Sequence, residues 1–241
     1  MIIQNKKYSS LLIVLFISIT LITVAKRASG NSGIIGGGLG GFNIGFHWFD
    51  ISELNSELSS GSSGFTTFDN RDVTFGGMGY GIFNKIVLGG EGQSFEQEKG
   101  TSNHYQHLSG GYGLFNVGYL LLYKSGLILY PTIGFGGGGF DLRLTEKSTL
   151  SFSDIINDPK RESYLSTGAY IITMGMALDY LFPLAKEENS LGGIIIGIKF
   201  GYAYSFSDSE WKMGDLTVTG PKIGMKGFFL RFAIGGGGIS F

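Results

Sequence analysis

The stretch Gly193-Ile-Ile-Ile-Gly-Ile-Lys-Phe-Gly-Tyr-Ala-Tyr-Ser205 shows most clearly how this chain folds. Successive side chains of a β-strand point to opposite faces of the sheet, so residues two apart share a face. One set of alternate positions, from Ile194 to Tyr204, is large and apolar throughout. The other set, from Gly193 to Ser205, consists mainly of small residues and includes one lysine. The stretch is therefore predicted to be a β-strand with two chemically different faces.

The chemistry of the second face distinguishes a membrane barrel from a soluble β-sandwich. A soluble sheet would bury its apolar face and turn a face rich in charged residues towards water. Here, and in the similar stretches 169–180 and 227–234, the second face carries mainly glycine, alanine, serine and threonine. Small side chains suit the crowded lumen of a narrow barrel, and bulky apolar ones suit contact with lipid. Because no open strand edge is stable in hydrocarbon, the pattern predicts a closed transmembrane β-barrel.

The same period-two pattern marks eight strands, and the connections between them alternate between long and short. Outer-membrane barrels have long extracellular loops and short periplasmic turns, so both termini are expected in the periplasm. We predict an all-β fold, an eight-stranded antiparallel up-and-down transmembrane β-barrel, with ten strands as the alternative if a long loop contains a hairpin. The predicted strands are 34–49, 73–83, 86–95, 104–123, 127–144, 164–181, 192–205 and 226–241, and the predicted long loops are 50–72, 96–103, 145–163 and 206–225.

The start of the chain has the features of a secretory signal peptide. Lys6 and Lys7 precede an apolar run from Leu11 to Ala25, and small residues follow. This order of a basic region, an apolar region and a small-residue cleavage zone is typical of an exported protein. A retained anchor is the alternative, but the run is short for a full span of about 20 residues. Residues 1–30 are expected to be the signal peptide and residues 31–241 a single barrel domain.

The composition excludes several classes of function. The net charge of the 241 residues is -1, so the chain offers no basic field for nucleic acid. Cysteine is absent, which rules out disulfides, thiolate metal sites and a cysteine nucleophile. The 42 glycines, 20 phenylalanines and 12 tyrosines favour strands over helices. A glycine-rich phosphate loop requires a following helix, which is not predicted, so no cofactor is expected. The protein is also expected to be a monomer.

The final segment, Lys226-Gly-Phe-Phe-Leu-Arg-Phe-Ala-Ile-Gly-Gly-Gly-Gly-Ile-Ser-Phe241, resembles the closing strand of bacterial outer-membrane barrel proteins. In that class the insertion machinery recognises an alternating last strand that ends in an aromatic residue. The eight-strand plan is also similar to that of the small OmpA/OmpX-like barrels, as a pattern over nearly the whole mature chain. The resemblance implies a location in the bacterial outer membrane, Phe241 as an insertion signal, and outer-membrane lipid and the barrel insertion machinery as partners.

The closing strand departs from its own alternation near its end. Ile239 and Phe241 have the opposite parity to the apolar residues between Phe228 and Ile234. A β-bulge in Gly235–Gly238 would switch the faces, and glycine permits such a bulge. We expect a bulge there, with a misassigned face as the alternative.

Four charged residues fall on the faces that are predicted to point into the lumen. An eight-stranded barrel is just wide enough for side chains to fill its interior. Because a buried charge must find a partner, these residues are predicted to form an ion-pair network that closes the lumen. A proton or ion path along them is the alternative. The four residues are Glu91, Asp179, Lys199 and Arg231.

The histidines do not predict a metal site, because His104 and His107 are three apart on a strand and so point to opposite faces. His107 and Ser109 share a face, and this pair is similar to the His-x-Ser arrangement of outer-membrane lipid A deacylases. In that family the histidine activates the serine for acyl transfer, so the resemblance implies a catalytic pair. The asparagine that follows the serine in that family is Gly110 here, and the following strand offers no evident acid to orient the histidine.

The function predicted from the sequence is therefore non-enzymatic, with no catalytic, cofactor or metal residues. We expect a structural or surface-interaction protein that exposes four long extracellular loops, because loops on a rigid scaffold are the usual place for recognition. The ligand of these loops is unknown. The alternatives are a small porin-like channel and a membrane-embedded lipid A acyl hydrolase that uses His107 and Ser109.

Overall fold

The computed structural model describes residues 36–61, 64–147, 151–157, 162–207 and 210–241, so the predicted signal peptide lies outside the described residues. Within these ranges, eight strands form a closed antiparallel ring in which the last strand pairs with the first. The ring consists, in order, of β1 (Gly36–Trp48), β2 (Arg71–Phe83), β3 (Ile86–Gly100), β4 (His104–Tyr119), β6 (Leu127–Glu146), β7 (Glu162–Glu187), β8 (Ser190–Ser207) and β11 (Gly227–Ser240). The predicted eight-stranded barrel is confirmed.

Five further elements lie in the connections, and none of them enters the ring. The hairpin in the last long loop pairs with β7 only at Ser166 and Lys212, so the ten-stranded alternative is wrong. These elements are α1 (Ser52–Ser60), β5 (Leu122–Lys124), α2 (Phe152–Asn157), and the hairpin strands β9 (Glu210–Met213) and β10 (Leu216–Thr219).

The alternation that predicted the barrel is visible in the exposure of β8. Ile194, Ile196 and Ile198 have 43%, 48% and 39% of their surface exposed, whereas Ile195 and Lys199 have 2% and 7%. The outward residues of the other strands continue this apolar belt around the ring. A closed barrel with an apolar outer belt is the form in which β-sheets cross outer membranes, and this protein is an outer-membrane β-barrel.

No helix in the described ranges is both long enough and apolar enough to span a membrane.

Two short turns at one end of the barrel have the backbone geometry of tight hairpins. Asn84 and Lys85 have φ values of 44° and 75°, and Ser125 and Gly126 have values of 52° and 89°. Positive φ at both central residues is the type I′ turn, whose twist matches that of the flanking strands. These turns fix the register of β2 with β3 and of β5 with β6.

The prediction of a long loop at 96–103 is wrong for most of these residues. Strand β3 runs to Gly100 and β4 begins at His104, which leaves only Thr101–Asn103 as a turn. The strand continues because Phe95 and Gln97 still point inwards and are buried, so the period of two persists past the predicted end of the strand at residue 95. The prediction of four long loops is therefore corrected to three, and Glu96 and Glu98 lie on a strand.

The closing strand contains no bulge, so that expectation is also wrong. Alternation continues through Gly235–Gly238 in the register with both neighbours, and Ile239 points inwards and is buried. The irregularity of the barrel lies instead between Pro183 and Ala185 of β7. Phe241 follows the end of β11, where its amide donates to the carbonyl of Asn189 at 3.0 Å.

The lumen is filled by two apolar clusters with a polar layer between them. The cluster next to the short turns contains residues such as Leu39, Ile82 and Ile128. The cluster at the other end combines strand residues such as Phe95 with residues of the long loops, such as Leu54 and Trp211. The inner face therefore carries aromatic residues as well as small ones. The aromatic side chains fill space that small side chains alone would leave open.

Candidate functional site

Three of the four predicted inward charges meet at the centre of the lumen. Arg231 Nη1 lies 2.6 Å from Glu91 Oε1, and Lys199 Nζ lies 3.0 Å from Glu91 Oε2. The side chain of Glu91 is fully shielded from solvent. Because β11 and β3 are separated by two strands in the ring, the Arg231–Glu91 pair crosses the lumen. The carboxylate thus holds two cations from the opposite side of the barrel.

The fourth residue, Asp179, is buried but does not join this group. Its Oδ2 accepts a hydrogen bond from the hydroxyl of Tyr130 at 2.7 Å, and no salt bridge involves it among the described residues. Space for the carboxylate is provided by Gly197, where an added Cβ would lie 2.0 Å from Asp179 Oδ1. Asp179 therefore forms a second polar contact beside the ion-pair group.

Tyrosine and amide side chains complete the layer, and the sequence reading did not single them out. The hydroxyl of Tyr80 donates to Glu91 at 3.0 Å, and Lys199 donates to Asn116 at 3.3 Å. Arg231 also donates to the hydroxyl of Tyr112. These residues share the inward parity of the charged ones, which is the signal that could have found them. The layer satisfies most of the polar groups that it buries.

The mouth of the barrel at the end with the long loops is covered by a folded cap, formed by residues 50–61 and 64–70 with α1 and by residues 210–226 with the β9–β10 hairpin. Helix α1 buries Leu54 and Leu58 in the cluster at this end of the lumen. The two parts of the cap are joined by the paired backbones of Asp50 and Gly224, whose two hydrogen bonds are both 3.0 Å long. The cap is therefore part of the core and closes the lumen.

Glutamine side chains on the strands hold the cap from below. The side-chain amide of Gln97 donates to the carbonyl of Asp69 and accepts from its amide, both at 2.9 Å. Gln106 makes the equivalent pair of contacts with Thr66. Within the cap, Asn55 exchanges two hydrogen bonds of 2.9 Å with the backbone of Phe68. Each bond satisfies a polar group that would otherwise be buried without a partner.

The predicted pair His107 and Ser109 lies on the outer wall of the barrel, near the N-terminal end of β4, which is the capped end of the barrel. The acid that the sequence reading did not find is on the preceding strand, where Glu96 Oε1 lies 2.6 Å from His107 Nε2. Glu96 is directly opposite Ser109 in the register, and Glu98 is directly opposite His107. Among the described contacts, Ser109 makes no hydrogen bond with His107.

An open groove of about 890 Å³ runs along this part of the wall, and its lining includes Glu96, Glu98 and Ser109. Its floor includes Gly111 and Gly139, which lie next to each other in the register of β4 and β6. The absence of side chains at these positions makes the wall concave above the apolar belt. Chemically, the groove presents the hydroxyl of Ser109 and the carboxylates of Glu96 and Glu98 on an open surface, and the imidazole of His107 contacts Glu96 beside it.

The other two histidines lie elsewhere. His47 is buried in the lumen, where its Nδ1 is 3.1 Å from the hydroxyl of Tyr112. The ring of His104 packs against Phe65 of the cap at a centroid distance of 4.8 Å. The three imidazoles therefore do not converge, as the spacing of His104 and His107 indicated.

No protein-family model matches the chain, and no curated protein matches it in sequence. Among solved structures, Ail, the attachment invasion locus protein of Yersinia pestis, is 12% identical with a TM-score of 0.42, and the match covers 86% of this chain and 100% of that chain. The same protein in complex with the heparin analogue sucrose octasulfate gives 13% and 0.40 over the same shares. The outer membrane protease OmpT from Escherichia coli gives 10% and 0.30 over 88% and 98%. Similarity at this level bears on neither ligand nor activity.

Proposed function

We propose that this outer-membrane barrel is a non-enzymatic surface protein whose capped extracellular end binds a partner outside the cell. The observation that carries the proposal is the cap, because its two parts are tied to each other and to the strands by buried side chains and backbone hydrogen bonds. A loop that only needed to be solvated would not require this packing. A preorganised surface loses less entropy on binding than a mobile loop does.

The β9–β10 hairpin presents an exposed strand on the cap. All four residues of β10 are exposed, including Leu216 at 61% and Val218 at 37%. Trp211 of β9 anchors the hairpin, since its ring is buried and its Nε1 donates to the carbonyl of Pro221 at 2.9 Å. Exposed apolar residues on a fixed support favour a contact surface over a flexible linker.

The experiment compares cells that produce the full chain with cells that produce a Leu216→Ser/Val218→Ser variant. Binding to a panel of protein-coated and glycan-coated surfaces is expected to fall at least several-fold in the variant. Lys124→Ser, at the opposite end of the barrel, serves as the control and is expected to bind like the unaltered chain. Equal binding by all three strains and by cells without the protein would contradict the surface role.

The channel alternative is less well supported by the contents of the lumen. Two apolar clusters and the pair between Arg231 and Glu91 cross the path that a solute would take. Recordings from planar bilayers that contain the purified protein are expected to lack discrete conductance steps. Regular steps would favour the channel.

A second candidate function is acyl hydrolysis of an outer-leaflet lipid, and one observation favours it. Glu96 supplies the acid that could orient His107, and Ser109 lies directly opposite Glu96 in the register, where both line the groove. In this role Ser109 would be the nucleophile and His107 the base. The Ser109→Ala variant would then change the mass profile of lipid A in the host membrane, and an unchanged profile would exclude this candidate.

A further inference from the structure

The outer wall carries a cluster of metal-ligating side chains that the proposed surface role does not use. Glu96 and Glu98 of β3 and His107 of β4 each offer one donor atom, and these three atoms lie within 4.8 Å of one another. The arrangement follows from the register, because Glu98 faces His107 directly and Glu96 lies two residues away on the same face. The cluster depends on the extension of β3 to Gly100, so three ligand positions are fixed by one antiparallel pair of strands.

The charges of the cluster are not balanced by neighbouring cations. Among the described residues, no lysine or arginine forms a salt bridge with Glu96 or Glu98. Lys99 is paired with Asp69 at 2.7 Å, and Arg143 contacts Glu162 at 3.7 Å. Two carboxylates on one face of a strand repel each other, and a bound divalent cation would remove this repulsion.

The donor set also selects the kind of ion. One imidazole nitrogen with two carboxylate oxygens suits Zn²⁺, whereas Ca²⁺ and Mg²⁺ prefer sites made only of oxygen. Two donor atoms of a tetrahedral Zn²⁺ site, at about 2.0–2.2 Å from the ion, lie about 3.3–3.6 Å apart, so rotations that move the exposed glutamate oxygens by about 1 Å bring the donors onto one ion.

The surroundings of the cluster provide both support and access. The hydroxyl of Tyr105 donates to Glu98 Oε1 at 2.6 Å, which orients that carboxylate and leaves its second oxygen for an ion. Glu96 and Glu98 line the open groove of about 890 Å³, so an ion and its water ligands can reach the cluster from outside.

We propose that Glu96, Glu98 and His107 bind one divalent transition-metal ion, with Zn²⁺ as the ion that the donor set suits best. The three side chains supply three ligands, and the groove leaves the remaining position to water or to an external ligand. The site lies on the outer wall, apart from the cap, so it goes beyond the proposed surface role and does not depend on it.

The test is calorimetric titration of the purified, refolded full chain in detergent with Zn²⁺ alone. One ion per chain is expected to bind, and His107→Ala and Glu98→Gln are each expected to weaken binding by about tenfold or more. The matched control is His104→Ala, which removes an imidazole from the opposite face of the same strand and is expected to leave the affinity unchanged. Glu98→Gln keeps the shape of an exposed side chain, and heat-modifiable migration on a denaturing gel verifies that each variant is folded.

Three results would overturn the proposal. The first is the absence of saturable Zn²⁺ binding by the unaltered chain. The second is binding that is the same in His107→Ala or that falls equally in His104→Ala. The third is displacement of Zn²⁺ by comparable concentrations of Ca²⁺ or Mg²⁺, since that would show a site without a role for the nitrogen donor.

Discussion

Two glutamates of β3 form contacts of the same length on opposite sides of the barrel wall. Glu91 points into the lumen, where its carboxylate lies 2.6 Å from Arg231 and its side chain is fully shielded. Glu96 points outwards, where it lies 2.6 Å from His107 and 64% of its side chain is exposed. The difference in surroundings, and not the distance, decides what each contact contributes.

The physical reason is the solvent around each charge. A carboxylate in the lumen has lost its water, so its cations and hydroxyl partners replace that water and removing one leaves an uncompensated charge. A carboxylate on the outer wall regains water when its partner is lost, and salt screens the contact. The contacts of Glu91 in the lumen therefore stabilise the fold. The contact of Glu96 on the outer wall contributes little to stability, so Glu96 can exchange its partner.

The largest effect is expected when the inner group loses one cation. Arg231→Met should lower the free energy of unfolding by about 3–5 kcal/mol, because the buried Glu91 then keeps Lys199 as the one cation of its pair group. Urea titration of the refolded protein in lipid vesicles measures the loss. Arg143→Met is the control, since it breaks an exposed pair on the same barrel and should cost no more than about 1 kcal/mol. Similar losses in the two variants would show that the lumen does not differ from the outer surface.

A smaller effect is expected from two glycines on the two faces of β4. At Gly110, on the inner face, an added Cβ would lie 2.5 Å from the carbonyl oxygen of Gly139 and 2.7 Å from the ring of Phe95. Gly110→Ala should therefore destabilise the barrel by about 1–3 kcal/mol. At Gly113, on the outer face, a Cβ would meet nothing within 4 Å, and Gly113→Ala should stabilise it by about 0.4–1 kcal/mol through the unfolded chain.

Thermal unfolding of this glycine pair in the same vesicles separates the two signs. A stabilising Gly110→Ala would mean that the inner face has room to spare, contrary to the contacts around it.

The smallest effect on stability is expected at the outer glutamate. Glu96→Gln should change the free energy of unfolding by less than about 1 kcal/mol, because the exposed amide is hydrated and the contact with His107 is screened. The same urea titration measures it, alongside Glu91→Gln as the buried counterpart. A loss as large as that of Glu91→Gln would mean that the outer cluster is part of the fold and not a site.

The strand pattern was predictable because it is local. The exposures of Ile194, Ile195 and Ile196 reproduce the alternation that the sequence indicated, and the turns at 84–85 and 125–126 lie where the pattern placed them. The third short connection was predicted at 182–191, but β7 continues to Glu187 and β8 begins at Ser190. The predictions were wrong where inward packing continued a strand past its predicted end, at Glu96–Gly100, and where a glycine run was expected to form a bulge, at Gly235–Gly238. In both places the neighbouring strands held the chain in regular register.

The candidate sites were only partly predictable. Inward parity identified Glu91, Lys199 and Arg231 as a possible group but could not separate Asp179 from it, because that depends on which residue lies opposite across the lumen. The position of Glu96 next to His107 required the register of β3 with β4. If the alternation of inward and outward residues had been continued past Phe95, it would have placed Gln97 inside and Glu96 and Glu98 outside.

The sequence by itself determined the class of fold, the number of ring strands and the face on which most strand residues lie, because a period of two is a property of the extended backbone. Only the tertiary structure decided which side chains meet: Arg231 with Glu91 across the lumen, Glu96 with His107 across one strand pair, and Asp50 with Gly224 in the cap. The first and third of these contacts join residues that are far apart in the chain, and the second joins residues on two neighbouring strands. They are set by ring closure and strand register, which local periodicity does not encode.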